Sequence, residues 1–142
     1  MNDNIFLAGE YRFQGYNVAG ELVYDQVFKN TVVQNFYENM FFALSGANSN
    51  LKIIDFATGT GLSMSQRSDI GLETEVFRKP ITQISNTSSQ LIIKTSLETF
   101  ESNFNIKEVG LFTSAGMTSR VNANIEKTAS IQYLITYTLT FS

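Results

Sequence analysis

The chain has no histidine and no cysteine, and its 142 residues include a single proline and no tryptophan. These absences exclude disulfide bonds, thiol nucleophiles and the usual zinc and iron ligand sets, and they remove the commonest general base. Without cysteine, the redox compartment cannot be inferred from the sequence. Acid–base or metal chemistry in this protein would therefore have to rest on carboxylates.

Positive charge and long apolar runs are also scarce. Ten Lys and Arg residues against 13 Asp and Glu residues give a formal net charge of −3, which is the wrong sign for nucleic acid as the main ligand. No stretch approaches the roughly 18 apolar residues of a membrane helix, and residues 1–4 lack the basic start of a secretory signal. We expect a protein made in the cytoplasm, without membrane insertion.

What the chain does contain is a repeated alternation of apolar and polar residues. It is clearest at the C-terminus, where Ile131, Tyr133, Ile135, Tyr137, Leu139 and Phe141 alternate with mostly polar or β-branched residues. A period of two predicts strands with one buried face. By this pattern and the turn-forming residues between segments, we predict strands at about 5–16, 21–28, 51–57, 76–84, 91–98, 106–113, 121–126 and 131–141.

Several residues add detail to the predicted strands. Pro80 predicts that its strand lies at an edge or is broken there. Gly110 predicts a bulge or a close approach of another backbone. In the N-terminal hairpin, Leu22, Tyr24 and Phe28 are predicted to share one face.

One segment has a helical period instead. Between about 31 and 45, large apolar residues recur at intervals of three and four, which predicts an amphipathic helix packed on the sheet or covering one open end. Asn30 or Thr31 is predicted to cap its start, and Gly46 is predicted to end it. The apolar stripe comprises Val33, Phe36, Tyr37, Met40, Phe41 and Leu44.

These elements together predict a mainly β protein, an antiparallel β-sandwich of about seven or eight strands with one packed α-helix at about 31–45. No linker or internal repeat divides the chain. We expect one domain over residues 1–142, with an N-terminal hairpin at about 5–28 and further strands over about 51–142.

The glycine-rich stretch Thr58-Gly59-Thr60-Gly61 follows a strand, as a phosphate-binding loop would. A Walker loop continues with Lys and then Ser or Thr, whereas Leu62 and Ser63 follow here. A dinucleotide-binding loop would need a third glycine opening a helix. We interpret the stretch as a tight turn in which glycine supplies a positive φ.

Carboxylates form two further candidate sites. Glu73 and Glu75 would share one face of an extended segment, as a pair of catalytic acids would. The simpler interpretation is a structural ion pair with the neighbouring Arg78 and Lys79, or a solvated edge. Asp55 and Asp69 flank the loop after the glycines and could supply oxygen ligands to calcium, but no EF-hand spacing is present. We assign no catalytic, cofactor-binding or metal-ligating residue and expect no enzymatic activity.

Aromatic residues make up 13% of the chain. Exposed tyrosines at a sugar-binding groove would offer flat faces with polar ends. Tyr11, Tyr16, Tyr24 and Tyr37 are candidates for this role, and the loops rich in Asn, Ser and Thr are consistent with it. Tyr133 and Tyr137 lie in the apolar register of the C-terminal strand and are predicted to be core residues.

Several short strings, taken in order, resemble small virion proteins of tailed bacteriophages and the N-terminal modules of their tail fibres. The resemblance spans most of the chain and implies a β-rich domain with one helix. The strings are FKNTVV at 28–33, IDFATGTG at 54–61, LETEVFRKPI at 72–81, IKEVGLF at 106–112, SR at 119–120 and IEKT at 125–128.

The resemblance implies a structural component of a bacteriophage tail, baseplate or neck, located in the virion. Such a protein would form a homo-oligomer and anchor fibres or neighbouring virion proteins through its interfaces. We predict contact regions in the hairpin at 5–28 and the loop at 61–71. The alternative hypothesis is a carbohydrate-binding β-sandwich that attaches to a host-surface glycan.

Overall fold

The computed structural model describes residues 7–47 and 51–141, so the predicted start of the first strand at residues 5 and 6 lies outside the described residues. The structure is built from strands with one helix between the third and fourth of them. The elements are β1 (Leu7–Asn17), β2 (Leu22–Lys29), β3 (Thr31–Val32), α1 (Gln34–Leu44), β4 (Ile53–Gly59), β5 (Glu75–Pro80), β6 (Gln83–Asn86), β7 (Gln90–Leu97), β8 (Asn105–Thr113), β9 (Gly116–Glu126) and β10 (Ile131–Phe141).

The strands form two antiparallel five-stranded sheets. Sheet A has the order β2-β1-β10-β7-β6, and sheet B has the order β3-β9-β8-β4-β5. This arrangement confirms the predicted β-sandwich with one helix. The strand count is higher than predicted because β3 is an additional short strand and because the predicted strand at 76–84 divides after Pro80 into β5 and β6, which belong to different sheets.

The core lies between the inner faces of the two sheets. Alternate residues of β1 and β10 point into it, as the period of two predicts, and the Tyr11 hydroxyl reaches across to Ser119 Oγ of sheet B at 2.8 Å. Tyr133 and Tyr137 are buried there, which confirms their predicted place. The fully buried large apolar side chains include Tyr11, Phe13, Phe56, Ile93, Leu97, Ile106, Leu111, Ile125 and Ile135.

The helix is shorter than predicted. It covers Gln34–Leu44, and neither Asn30 nor Thr31 caps it: Val33 is the N-cap and makes no side-chain cap hydrogen bond. Thr31 instead pairs with Arg120 as part of β3, because ladder hydrogen bonds to β9 compete with the first helical turn for this segment. Gly46, with a φ of 81°, follows the helix end as predicted.

The apolar stripe of α1 is only partly buried. Val33 and Phe36 are buried, whereas Phe41 and Leu44 are exposed. The prediction that this stripe packs on the sheet or covers one open end is therefore wrong for Phe41 and Leu44. Among the described residues, no helix has the length and apolar character needed to span a membrane.

The predicted shared face of Leu22, Tyr24 and Phe28 is also wrong. A register shift between Gly15 and Tyr16 places Leu22 opposite Tyr16, while Tyr24 and Phe28 stay on the inner face. A β-bulge moves a side chain to the opposite face because the strand period is two. Leu22 is consequently exposed.

Candidate assembly site

Two charged residues are buried on the outer face of sheet B. Glu108 of β8 is 0% exposed and Arg120 of β9 is 1% exposed. The register pairs Gly110 with Arg120, so the two charged side chains are diagonal neighbours on adjacent strands. The segment of residues 60–74, which joins β4 to β5 and is called here the 60–74 loop, covers them.

Glu108 holds both ends of the 60–74 loop. Its Oε2 accepts hydrogen bonds from the backbone N–H groups of Gly61 at 2.7 Å and Thr74 at 2.8 Å. Its Oε1 accepts one from the Glu73 N–H at 2.8 Å and one from Arg120 Nε at 3.0 Å. A buried carboxylate needs such donors to offset its lost hydration, and here they come mainly from the loop backbone.

Arg120 and its neighbour Asn122 hold the middle of the loop. The Arg120 guanidinium donates to the Ser63 carbonyl at 2.8 Å and to Asp69 Oδ2 at 3.2 Å. Asn122 Nδ2 donates to the same carbonyl at 2.8 Å, and its Oδ1 accepts from the Ser65 N–H at 2.8 Å. The loop is thus hydrogen-bonded to sheet B at both ends and in the middle.

The glycines of the 58–61 stretch provide space rather than a special backbone angle. Neither Gly59 nor Gly61 has a positive φ, so the predicted tight turn with positive φ is wrong. A Cβ on Gly59 would overlap the Thr74 carbonyl oxygen, and one on Gly61 would overlap Glu108 Oε2. The glycine-rich stretch thus binds a carboxylate of its own chain.

Glu73 serves the same loop. Its Oε1 accepts hydrogen bonds from the N–H groups of Leu62 at 2.9 Å and Ser63 at 3.3 Å. Hydrogen bonds from the Ser63 side chain and from these two N–H groups hold the pKa of Glu73 below its ordinary value of 4.5. Of the two predicted roles, an ion pair with Arg78 or Lys79 and a solvated edge, Glu73 takes the second, and backbone donors rather than these cations bind its carboxylate.

Glu75 has the predicted kind of partner. It pairs with Arg78 at 2.7 Å, and Arg78 also approaches Asp55 at 3.5 Å and lies over the Phe112 ring at 3.8 Å from the ring centre. Lys79 pairs instead with Glu101 at 2.8 Å. The structure thus gives Glu73 and Glu75 different partners rather than a shared catalytic arrangement.

The two candidate calcium ligands also have separate partners. Asp55 lies near Arg78, whereas Asp69 binds Arg120 and accepts a hydrogen bond from the Gln66 N–H at 2.8 Å. Over residues 7–47 and 51–141, no group of three or more Asp and Glu side chains could hold a metal ion.

The lowered pKa of Glu73 gives a testable pH dependence. A carboxylate whose pKa is depressed by folding stabilises the native state above its ordinary pKa, and this contribution is lost as the pH falls through the folded value. We expect the E73Q variant to show a smaller loss of unfolding free energy than the wild type between pH 7 and pH values below 4.5. Urea denaturation across this range measures the difference. An unchanged acid dependence in E73Q would contradict the role of Glu73.

The candidate sugar-binding tyrosines do not form one exposed row. Tyr11 is fully buried, and burial raises its pKa. Tyr24 packs edge-on against Tyr133 at 5.6 Å between ring centres, Tyr16 lies on the outer face of sheet A, and Tyr37 lies on α1. Because these four tyrosines lie apart, they do not form a shared aromatic surface on which a sugar ring could stack.

A polar hollow of about 640 Å³ opens near β7 and β10. Its described lining includes Gln14, Lys94 and Thr136 but none of the four tyrosines. Polar side chains of this kind can bind a sugar, but none of the described lining residues has an aromatic ring on which the sugar could stack. Glycan binding stays a prediction.

Large apolar side chains stay exposed on α1 and on the 60–74 loop. Leu44, near the helix end, is 82% exposed. The helix and loop are joined, since the Gln34 N–H donates to the Arg67 carbonyl at 2.8 Å and the Arg67 guanidinium lies over the Tyr37 ring. We call these exposed side chains the helix–loop surface; it comprises Phe41, Phe42 and Leu44 of α1 and Leu62, Met64 and Ile70 of the loop.

The hairpin is the second region with exposed apolar residues. Val18 lies in its turn, and Leu22, Val23 and Val27 lie on β2, the edge strand of sheet A. Both predicted contact regions thus carry exposed apolar side chains. The exposed end of α1 was not predicted, since its residues were assigned to the core stripe.

Sequence reasoning also missed the Glu108–Arg120 pair. Nothing local distinguishes a buried charge from an exposed one in an alternating strand. One signal was present: Glu108 precedes the nearly continuous apolar run 109–112, and strands covered on both faces have such runs. A charge beside such a run indicates a buried, hydrogen-bonded group.

In this β-sandwich, buried charges fix one loop, and large apolar side chains stay exposed on that loop and on the adjoining helix. These are features of a structural protein that works through surface contacts. The family model described as "Phage tail-collar fibre protein, N-terminal" matches residues 27–132. The chain belongs to this family, and it is a structural protein of the phage tail and a component of the virion. Comparisons with curated proteins and with solved structures give no match.

The family match confirms the resemblance that the short strings indicated. Its boundaries differ from those of the strands: it begins within β2 and ends at the second residue of β10. All of β1 and most of β10 therefore lie outside the match. These two strands nevertheless pair with each other in sheet A, from Leu7 with Phe141 to Asn17 with Ile131.

Proposed function

We propose that this chain is a non-enzymatic subunit of the phage tail that forms a homo-oligomer and anchors fibres or neighbouring subunits at the baseplate or neck. Membership of the tail-collar fibre family supports the tail role. The observation that carries the anchoring role is the end of α1 in the helix–loop surface, where the exposed side chains of Phe41, Phe42 and Leu44 lie within four residues of each other. Exposed apolar side chains that are grouped, unlike single ones, are characteristic of sites that bind another protein.

The Glu108–Arg120 cluster supports the same role. A contact surface binds more tightly when its loop does not have to be ordered on association. Bonds from Glu108, Arg120 and Asn122 fix the loop that carries Leu62 and Met64. The buried charges thus serve to present apolar side chains to a neighbouring subunit.

Mutation of the helix end tests the anchoring role. We expect the F41S/L44S variant to fold normally, since both side chains are exposed, and to be incorporated into virions about tenfold less than the wild type, or lower still. If these residues are among the few that dominate the interface, their truncation costs about 2 kcal/mol or more, roughly a factor of thirty in affinity. Quantifying the chain in purified particles, after complementing a phage that lacks the gene, measures the effect.

The matched control is F100S, which replaces a comparably exposed aromatic residue outside both predicted contact regions. It should be incorporated like the wild type. Thermal unfolding of each purified variant separates assembly defects from folding defects. Wild-type incorporation of F41S/L44S would refute the anchoring role of the helix end.

A further inference from the structure

The strand β2 offers an edge at which a second strand can pair. It lies at the end of sheet A next to β1, and no other strand pairs with its opposite side in the described part of the chain. An exposed edge presents backbone N–H and C=O groups that a further strand can use.

The hydrogen-bond pattern identifies which residues of β2 present these groups. The Asn30 N–H donates to the Gly9 carbonyl at 3.0 Å, and the register continues with Glu10 opposite Lys29 and Arg12 opposite Val27. In an antiparallel ladder, hydrogen-bonded and non-hydrogen-bonded pairs alternate. The backbone groups of Lys29, Val27 and Asp25 therefore point away from β1, toward the free edge.

The side chains of these three residues are complementary to themselves in reverse order. Asp25 is negative, Val27 is apolar and 52% exposed, and Lys29 is positive. When two such strands run antiparallel with Val27 facing Val27, each Asp25 faces Lys29 of the second copy. Opposite charges placed directly across an antiparallel pair stabilise it.

We propose that β2 pairs with β2 of a second copy about a two-fold axis at Val27, which joins the two A sheets into one continuous sheet. This inference deepens the proposed homo-oligomer and rests on it. A two-fold interface requires that each contact occur twice with the roles exchanged, and the sequence Asp25-Gln26-Val27-Phe28-Lys29 meets that condition.

Other registers are less favourable. Centring the pair on Asp25 would place like charges opposite each other, which is destabilising. Shifting the pair toward Val23 would bring in the register shift opposite Gly15 and Tyr16, where the edge is no longer regular.

The two charged residues of the pair differ in their partners within the chain. Lys29 forms no ion pair among the described residues and is available to the second copy. Asp25 already binds Arg12 at 2.8 Å.

A matched pair of variants tests the axis. V27K places two positive charges directly opposite each other, while V23K makes the same change in an equally exposed valine of the same strand, outside the paired stretch 25–29. We expect sedimentation equilibrium of the full chain to show dimers for the wild type and for V23K. For V27K, the dissociation constant of the dimer should be about tenfold higher or more.

Charge exchange tests the register independently. K29E and D25K should each self-associate more weakly than the wild type, because each places like charges across the pair. A mixture of the two should form heterodimers, since Asp25 of the K29E chain meets Lys29 of the D25K chain and the two substituted positions also attract each other. Because all these side chains are exposed, circular dichroism should show that the variants remain folded.

The possible outcomes separate this inference from the proposed function. An oligomer that V27K leaves intact, equal weakening by V23K and V27K, or no heterodimer in the mixture would overturn β2 pairing and leave the homo-oligomer standing. A wild-type chain that stays monomeric at high concentration would overturn both, and would indicate that Asp25 and Lys29 protect the edge against pairing.

Discussion

Replacement of Glu108 by glutamine is expected to lower the free energy of unfolding by about 3–5 kcal/mol, the usual cost of removing one partner from a buried ion pair. Glutamine has the same shape, but one oxygen becomes an NH₂ group. In one orientation this group faces the N–H donors of Gly61 and Thr74, and in the other it faces those of Glu73 and Arg120. Either way, buried donors lose their acceptor.

The measurement is chemical denaturation at neutral pH, together with hydrogen exchange at the Gly61, Glu73 and Thr74 amides. These amides should exchange faster in E108Q than in the wild type. The control is E75Q, which removes a carboxylate from the exposed pair with Arg78 and should cost about 1 kcal/mol at most. A stability for E108Q within 1 kcal/mol of the wild type would show that the loop is held by other contacts.

The fragment 27–132, which corresponds to the family match, is not expected to fold by itself. It lacks β1 and most of β10, which are adjacent strands inside sheet A. Tyr11 and Phe13 would be missing from the core, as would Ile135 and Tyr137. Truncating one large buried aliphatic or aromatic side chain costs about 2–5 kcal/mol, so losing all four costs about 8–20 kcal/mol, which is comparable with the whole 5–15 kcal/mol typical of a domain.

We expect the full chain to unfold in one cooperative thermal transition, and the fragment to show neither a transition nor a dispersed amide NMR spectrum. This result would support the prediction that residues 1–142 form a single domain. A fragment that unfolds cooperatively would instead place the boundaries of an independent domain at the ends of the family match.

The fold class could be predicted because alternation is a local property of the chain. The C-terminal strand has a period of two over 131–141, and its inward residues Tyr133, Ile135 and Tyr137 are buried as that period requires. Pro80 likewise marked the place where one predicted strand becomes two, since proline cannot donate to a ladder. These signals depend only on neighbouring residues.

The errors occurred where local signals compete with contacts distant in sequence. Thr31 resembles a helix cap but pairs with Arg120 in β9. Leu22 resembles a core residue, but a bulge turns it outward. Gly61 resembles a turn residue but makes room for a carboxylate that lies 47 positions later in the chain.

Residue order was enough to predict a β-sandwich with one helix, a chemistry restricted to carboxylates by the absence of histidine and cysteine, and a resemblance to phage tail proteins. The burial of Glu108 and Arg120, the fixing of the 60–74 loop by these residues, and the exposure of the end of α1 and of the β2 edge became apparent only in the folded chain. Periodicity sets the face on which a side chain lies, whereas only the packing of distant segments determines whether that face is covered.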